Sequence, residues 1–145
     1  MNKTFVIKSA VERIYELLMK AILRCLPMEQ LVPVSDNTVN ALLKVKLWFL
    51  SIPMAVQVVT ADIVPNESVV TYVHAKGLGG LMKLTQKFTF ALKSKGEKET
   101  EVSCTVEYQE KSWFLGIAWV LFAPMIKGIG MDTFQKLEER LTKWA

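Results

Sequence analysis

The chain has 145 residues, the length of one domain, able to bury roughly two-thirds of its unfolded surface. Hydrophobic residues make up 51% of it, high for a globular protein, yet no stretch reaches the ~18 uncharged apolar residues of a spanning helix. A net charge of +4 without a Lys/Arg run argues against nucleic acid as partner, and two cysteines with a single histidine argue against a disulfide framework or structural zinc.

Met1 to Lys8 is too short and too soon charged for a signal peptide, so a cytoplasmic location is expected, with peripheral attachment to the inner face of the membrane left open. Phe5-Val6-Ile7 predicts a short first strand. Ser9-x-x-Glu12 then reads as a capping box, the hydroxyl taking an orphan helix N–H and the carboxylate reaching back. Val11, Ile14, Tyr15, Leu18, Met19 and Ile22 follow at helical spacing, opposed by Glu12, Arg13, Glu16, Lys20 and Arg24. Pro27 ends this region, as one helix or as two with a bend near Lys20–Ile22.

Strands fill the middle. Val39, Ala41, Leu43, Val45 and Leu47 alternate with polar residues, as do Leu84, Phe88, Phe90 and Leu92, and Val102, Cys104, Val106 and Tyr108. Met54–Val64 and Ser68–Ala75 read as strands with blurred alternation, and Glu29–Val34 as the weakest of the set. After Trp113 the period becomes helical, with Phe134, Leu137, Leu141 and Trp144 on one side. Ile117–Ile126 is apolar all round and must be covered on several sides or line something apolar.

The turns between these strands sort into two kinds. Ser35-Asp36-Asn37, Pro65-Asn66-Glu67 and Lys95-Gly96-Glu97-Lys98 are polar, as turns facing water usually are. Leu47-Trp48-Phe49-Leu50-Ser51-Ile52, Gly77-Leu78-Gly79-Gly80-Leu81-Met82 and Trp113-Phe114-Leu115-Gly116 are apolar. In an up-and-down sheet successive turns fall at alternate ends, so the apolar tips share one end. Lys46, Lys76, Lys83, Lys111 and Lys127 flank it, either as edge protection or as a collar suited to an anionic bilayer.

The order short strand, helical region, long meander and long C-terminal helix resembles the START-like (SRPBCC) superfamily. Details resemble its CoxG branch, named for a component of carbon monoxide dehydrogenase: Phe5, Ile7, Ser9 and Tyr15 at the start, Cys25-Leu26-Pro27, the turn glycines Gly77 and Gly79, Thr100-Glu101-Val102, and Gly116-Ile117-Ala118. Met28 stands where that family has Gly, and many members carry a C-terminal extension implicated in membrane tethering, whereas this sequence ends at Ala145. The resemblance implies an α+β helix-grip fold: a short helical pair after the first strand, and a curved antiparallel sheet of about seven strands around the last helix. A cavity lies between sheet and helix in that fold.

Residues expected to line the cavity are Val45, Met54, Val56, Tyr72, His74 and Met82 from the earlier strands. Phe88, Phe90, Cys104, Val106 and Tyr108 are expected from the later strands, and Leu121 and Met125 from the helix. Its mouth, or a membrane contact, would hold Trp48, Phe49, Leu78, Leu81, Trp113 and Phe114. Inward aliphatics and aromatics are first of all core, so the cavity assignment rests on the fold. Flexible thioethers such as Met54, Met82 and Met125 suit an adaptable lining or an irregular core equally well.

The expected function is non-catalytic binding or transport of an apolar small molecule or lipid, without a cofactor or metal. The resemblance adds an oxidoreductase as partner class, and a homodimer is compatible with the sequence. Two alternatives stay open: a cyclase or dehydratase using His74 with Tyr72 or Tyr108, and a protein-docking adaptor. Acid–base work by His74 needs a carboxylate or substrate within hydrogen-bond reach, and Asp62 on the neighbouring strand is the nearest candidate.

Overall fold

The computed structural model describes residues 2–25, 29–47, 50–117 and 119–144, without side chains at 22–25, 29–30, 45–47, 50, 78, 114, 115, 121 and 125. Seven strands form one antiparallel sheet: β1 (Asn2–Ile7), β2 (Glu29–Pro33), β3 (Thr38–Leu47), β4 (Leu50–Val64), β5 (Ser68–Gly77), β6 (Met82–Gly96) and β7 (Glu99–Lys111). Their spatial order is β1-β7-β6-β5-β4-β3-β2. The meander thus runs in sequence order from β2 to β7, and β1 joins beside the last strand. Helix α1 (Val11–Cys25), a short α2 (Trp113–Ile117) and a long α3 (Trp119–Trp144) complete the chain.

The period-2 strands fold as their alternation dictates. Along β6 and β7 the buried series Met82, Leu84, Phe88, Phe90, Leu92 and Val102, Cys104, Val106 faces the helices. The anchor of the core is Phe134 of α3, fully buried, with its ring edge-on to Phe88 at 5.9 Å and to Phe90 at 6.3 Å. Such edge-to-face pairs add about 0.5–1.5 kcal/mol beyond area burial. Leu137 and Leu141 continue this stripe, and Ile14, Leu17 and Leu18 of α1 join the same cluster.

Two local expectations are corrected. Where a helical pair was expected after the first strand, a single helix runs from Val11 to Cys25; residues 26–28 lie outside the described residues. The capping box does not form, because α1 begins one residue later and its first backbone bond runs from Ile14 N–H to the Ala10 carbonyl. Ser9 belongs to the approach to the helix, where its carbonyl accepts from the Thr100 hydroxyl at 2.8 Å.

The apolar turns do share one end. Leu47 pairs with Leu50 there, although Trp48 and Phe49 lie outside the described residues. The β5–β6 turn, Leu78–Gly80, uses glycine at two left-handed positions, Gly79 (φ 65) and Gly80 (φ 99), where a side chain would be strained. Ser112 staples α2 beside that turn: its hydroxyl donates to the Leu81 carbonyl at 2.6 Å and accepts from Lys83 N–H at 3.2 Å.

Removing the anchor should be expensive. Phe134→Ala is expected to lower stability by about 3–5 kcal/mol, read from urea unfolding. A loss below about 1 kcal/mol would mean that α3 is held some other way.

Candidate functional site

The inward face of the sheet is graded in side-chain size. Nearest the apolar end, the register aligns Met54, Gly77 and Met82 across β4, β5 and β6. The next inward row is Val56, Ala75 and Leu84, and the next Val58, Val73, Gln86 and Tyr108. Only beyond these do the bulky rows begin, with Phe88 beside Thr71 and Phe90 beside Val69. Phe134 fills the space over the phenylalanines. Over the small residues of β5, Gly77, Ala75 and Val73, the helix leaves a gap.

That gap is an apolar cavity of about 40 Å³. Leu43, Met54, Val73, Ala75, Met82, Leu84 and Gln86 form its sheet side, and Phe122, Ile126 and Ile129 of α3 its helix side. Gly77 makes room for one wall: a Cβ there would stand 3.0 Å from Met54 Cγ and 3.3 Å from the Pro53 carbonyl. No larger residue would leave the Met54 side chain in place.

The helical wall is intrinsically weak. Pro124 lies inside α3, where it withholds a backbone donor and crowds the preceding turn, and Gly128 and Gly130 follow it. A helix-interior glycine costs about 1 kcal/mol relative to alanine. The half of α3 beyond Met131 contains neither residue type and carries Phe134, Leu137 and Leu141. One half of the helix is clamped, and the half over the cavity is deformable.

Polar chemistry around the cavity is sparse. Gln86 is its one polar lining residue among the described residues. Tyr108 stands opposite Gln86, packs edge-on to Trp119 of α3 at 5.3 Å, and has its hydroxyl buried without a hydrogen-bond partner. Burial pushes the Tyr108 pKa above its ordinary value, so the phenol stays protonated at neutral pH. The Thr71 hydroxyl, also inward, is buried and unpartnered too. Among the described residues no three His, Cys, Asp or Glu side chains converge as a metal site would require.

The expected site residues separate into groups. Met54 and Met82 line the cavity. Val56, Phe88, Phe90, Cys104 and Val106 face inward and are buried in the core cluster, and Tyr108 packs against it. Tyr72 and His74 are corrected: both lie on the outward face, because Val73 and Ala75 take the inward parity of β5. There His74 Nδ1 meets the Thr85 hydroxyl at 3.1 Å, the Tyr72 and His74 rings stack at 6.3 Å, and Gln57 rather than Asp62 stands opposite His74. The sheet therefore separates His74 from Tyr108, so the two cannot act on one substrate. Leu81 and Trp113 are exposed at the apolar end. Trp48, Phe49 and the side chains of Val45, Leu78, Phe114, Leu121 and Met125 lie outside the described residues.

Sequence reasoning missed Ala75, Gly77, Val73 and Phe122. The available signal was the run of small side chains at period two on β5, facing a helix with Pro and Gly in its first half.

Among the described residues no helix is long and apolar enough to cross a membrane. No curated protein matches the sequence closely enough to count as a relative. Among solved structures, a conserved protein from Geobacillus kaustophilus superposes with a TM-score of 0.75 at 17% identity, covering 98% of this chain and 94% of that one. A START superfamily protein from Mycobacterium smegmatis gives 0.55 at 16% identity over 99% and 94%. Norcoclaurine synthase from Thalictrum flavum gives 0.65 at 14% over 99% and 91%. Likeness at these identities establishes the START-like helix-grip fold and no activity. The model of the CoxG family of carbon monoxide dehydrogenase subunits matches residues 4–142, nearly the whole sequence, and the chain belongs to that family.

Proposed function

We propose that this protein is a non-catalytic carrier of an apolar small molecule or lipid, taken up between the sheet and the first half of α3. The observation that carries this reading is the cavity, walled by two methionines and by the small residues of β5, under a helix segment weakened by Pro124, Gly128 and Gly130. A volume of about 40 Å³ is far below the roughly 300–1,000 Å³ of ligand sites. Uptake therefore requires the methionines to change rotamer and the first half of α3 to lift. Both are low-cost motions in this structure: thioether chains are adaptable, and the helix yields where its own hydrogen bonding is interrupted.

Ligand exchange at a bilayer is part of the same reading. Trp113, Ile117 and Val120 are 70%, 78% and 85% exposed, with Leu81 at 45%. Single exposed apolar residues need no explanation, but Leu81 and Trp113 adjoin the Ser112 staple, and Ile117 and Val120 follow in α2 and the start of α3. Lys76 and Lys83 stand directly opposite each other across β5 and β6. Among the described residues neither has an ion pair, and their stems close over Gly80, whose Cβ would meet Lys76 Cε at 3.4 Å and Lys83 Cε at 3.7 Å. Like charges facing across a sheet are destabilising, and an anionic surface would compensate them, at about 1 kcal/mol per lysine. The CoxG family name adds an oxidoreductase as the protein partner to test.

Two outcomes are expected. An environment-sensitive apolar dye should bind near stoichiometrically and stabilise the fold by about 2.7 kcal/mol at a hundredfold excess over its Kd. Ala75→Leu, which fills the cavity from the floor, should abolish that binding at a stability cost of about 1–3 kcal/mol; a melt indifferent to every apolar ligand would favour a docking adaptor instead. In vesicle flotation, wild-type protein should bind anionic more than neutral liposomes and lose binding with salt. Lys83→Glu should weaken that binding while stabilising the fold slightly by relieving the Lys76 repulsion. Equal binding by Lys83→Glu would remove the lysine pair from the contact.

A further inference from the structure

Two hydroxyls on the inward face lack hydrogen-bond partners among the described residues: Tyr108 Oη and Thr71 Oγ1. Thr71 is 1% exposed, so water does not serve its hydroxyl from the surface. Buried polar groups are nearly always paired, and leaving one unpaired destabilises the fold. Neither residue is needed for shape alone. Phenylalanine and valine would fill the same positions without an unsatisfied oxygen.

The sheet register places each next to a residue that lines the cavity, although neither is itself in the lining. Val73 and Gln86 line it and face each other across β5 and β6. Tyr108 is the next residue along that row, directly opposite Gln86 on β7. Thr71 is the next inward residue after Val73 on β5, diagonal to Gln86. Facing side chains in a sheet lie roughly 5 Å apart and diagonal ones roughly 7–8 Å, so Gln86, which lines the cavity, has the Tyr108 position on one side and the Thr71 position on the other. The opposite side of the cavity, around Met54, Gly77 and Met82, is wholly apolar.

We propose that Tyr108, Thr71 and Gln86 form the polar end of the ligand cavity, and that its ligand is an apolar body bearing a hydrogen-bond-accepting oxygen, such as a carbonyl. This rests on the carrier reading and adds the chemical class of the ligand. The accepting oxygen takes the Tyr108 and Thr71 protons, and the hydrocarbon part extends toward the methionines. The described lining residues include no cation, while the Lys111 ammonium stands 4.0 Å over the Trp119 ring that packs against Tyr108, so the accepting oxygen is compatible with this end whether it is neutral or carries negative charge.

The test uses acetophenone and ethylbenzene, which match in shape and differ by a carbonyl in place of a methylene. Dissociation constants are measured by titration for wild type, Tyr108→Phe and Thr71→Val, with melting temperatures of the ligand-free proteins. The expected result is a preference for acetophenone that falls roughly two- to tenfold in Tyr108→Phe, the worth of one neutral hydrogen bond, and falls also in Thr71→Val. Both ligand-free variants should melt at or above the wild-type temperature, because each loses an unpaired buried hydroxyl. If both compounds bind but neither variant changes their ratio, the polar end is wrong and the apolar carrier stands. Lower melting of both variants would show that the hydroxyls have partners inside the empty protein, which also overturns the proposal. If wild type binds neither compound, the carrier reading fails and this inference fails with it.

Discussion

The edge-to-face contact of Phe134 with Phe88 and Phe90 fixes how α3 lies on the sheet, and the rest of the site depends on that placement. Held there, the second half of the helix closes the core together with α1. The first half is carried over rows of the sheet whose side chains are too small to reach it. A cavity results without any residue pointing away from it. The phenylalanines set the distance between helix and sheet, and Gly77, Ala75 and Val73 leave that distance unfilled.

Several features near the cavity lower stability, and they concentrate there. Pro124 and two glycines weaken the covering helix, Lys76 and Lys83 face each other with like charge, and two hydroxyls are buried without partners. By contrast, the buried Thr100 and Thr133 have their hydroxyls bonded to the Ser9 and Ile129 carbonyls. Local departures from good packing and pairing that cluster in one region are what a binding site produces, since ligand or surface supplies the missing partner. The same features make the lid half of α3 the part that yields on ligand entry.

The fold was legible in the sequence because most strands alternate cleanly. Leu84–Leu92 and Val102–Tyr108 have one wet face each, and the contrast between polar and apolar turns locates the two ends of the sheet. β5 was not legible in the same way. Val69, Val70 and Thr71 are all buried, so both parities of that strand look inward, and the sequence pattern puts Tyr72 and His74 on the wrong face. Ser9 and Glu12 match a capping pattern, but a tertiary contact from Thr100 engages Ser9 and the helix starts later. The cavity itself was only half legible. Its methionines stand out, whereas a gap is made by side chains that are absent, and alanine and glycine on a strand read as weak packing rather than as a site.

The central claim, that the space under the first half of α3 holds an apolar ligand, is tested most directly by native mass spectrometry of freshly purified protein. The account predicts a species heavier than the 16.4 kDa chain by a discrete small-molecule mass, lost on denaturation and absent from Ala75→Leu. Bare chain in wild type, with no mass gained after incubation with apolar ligands, would contradict it.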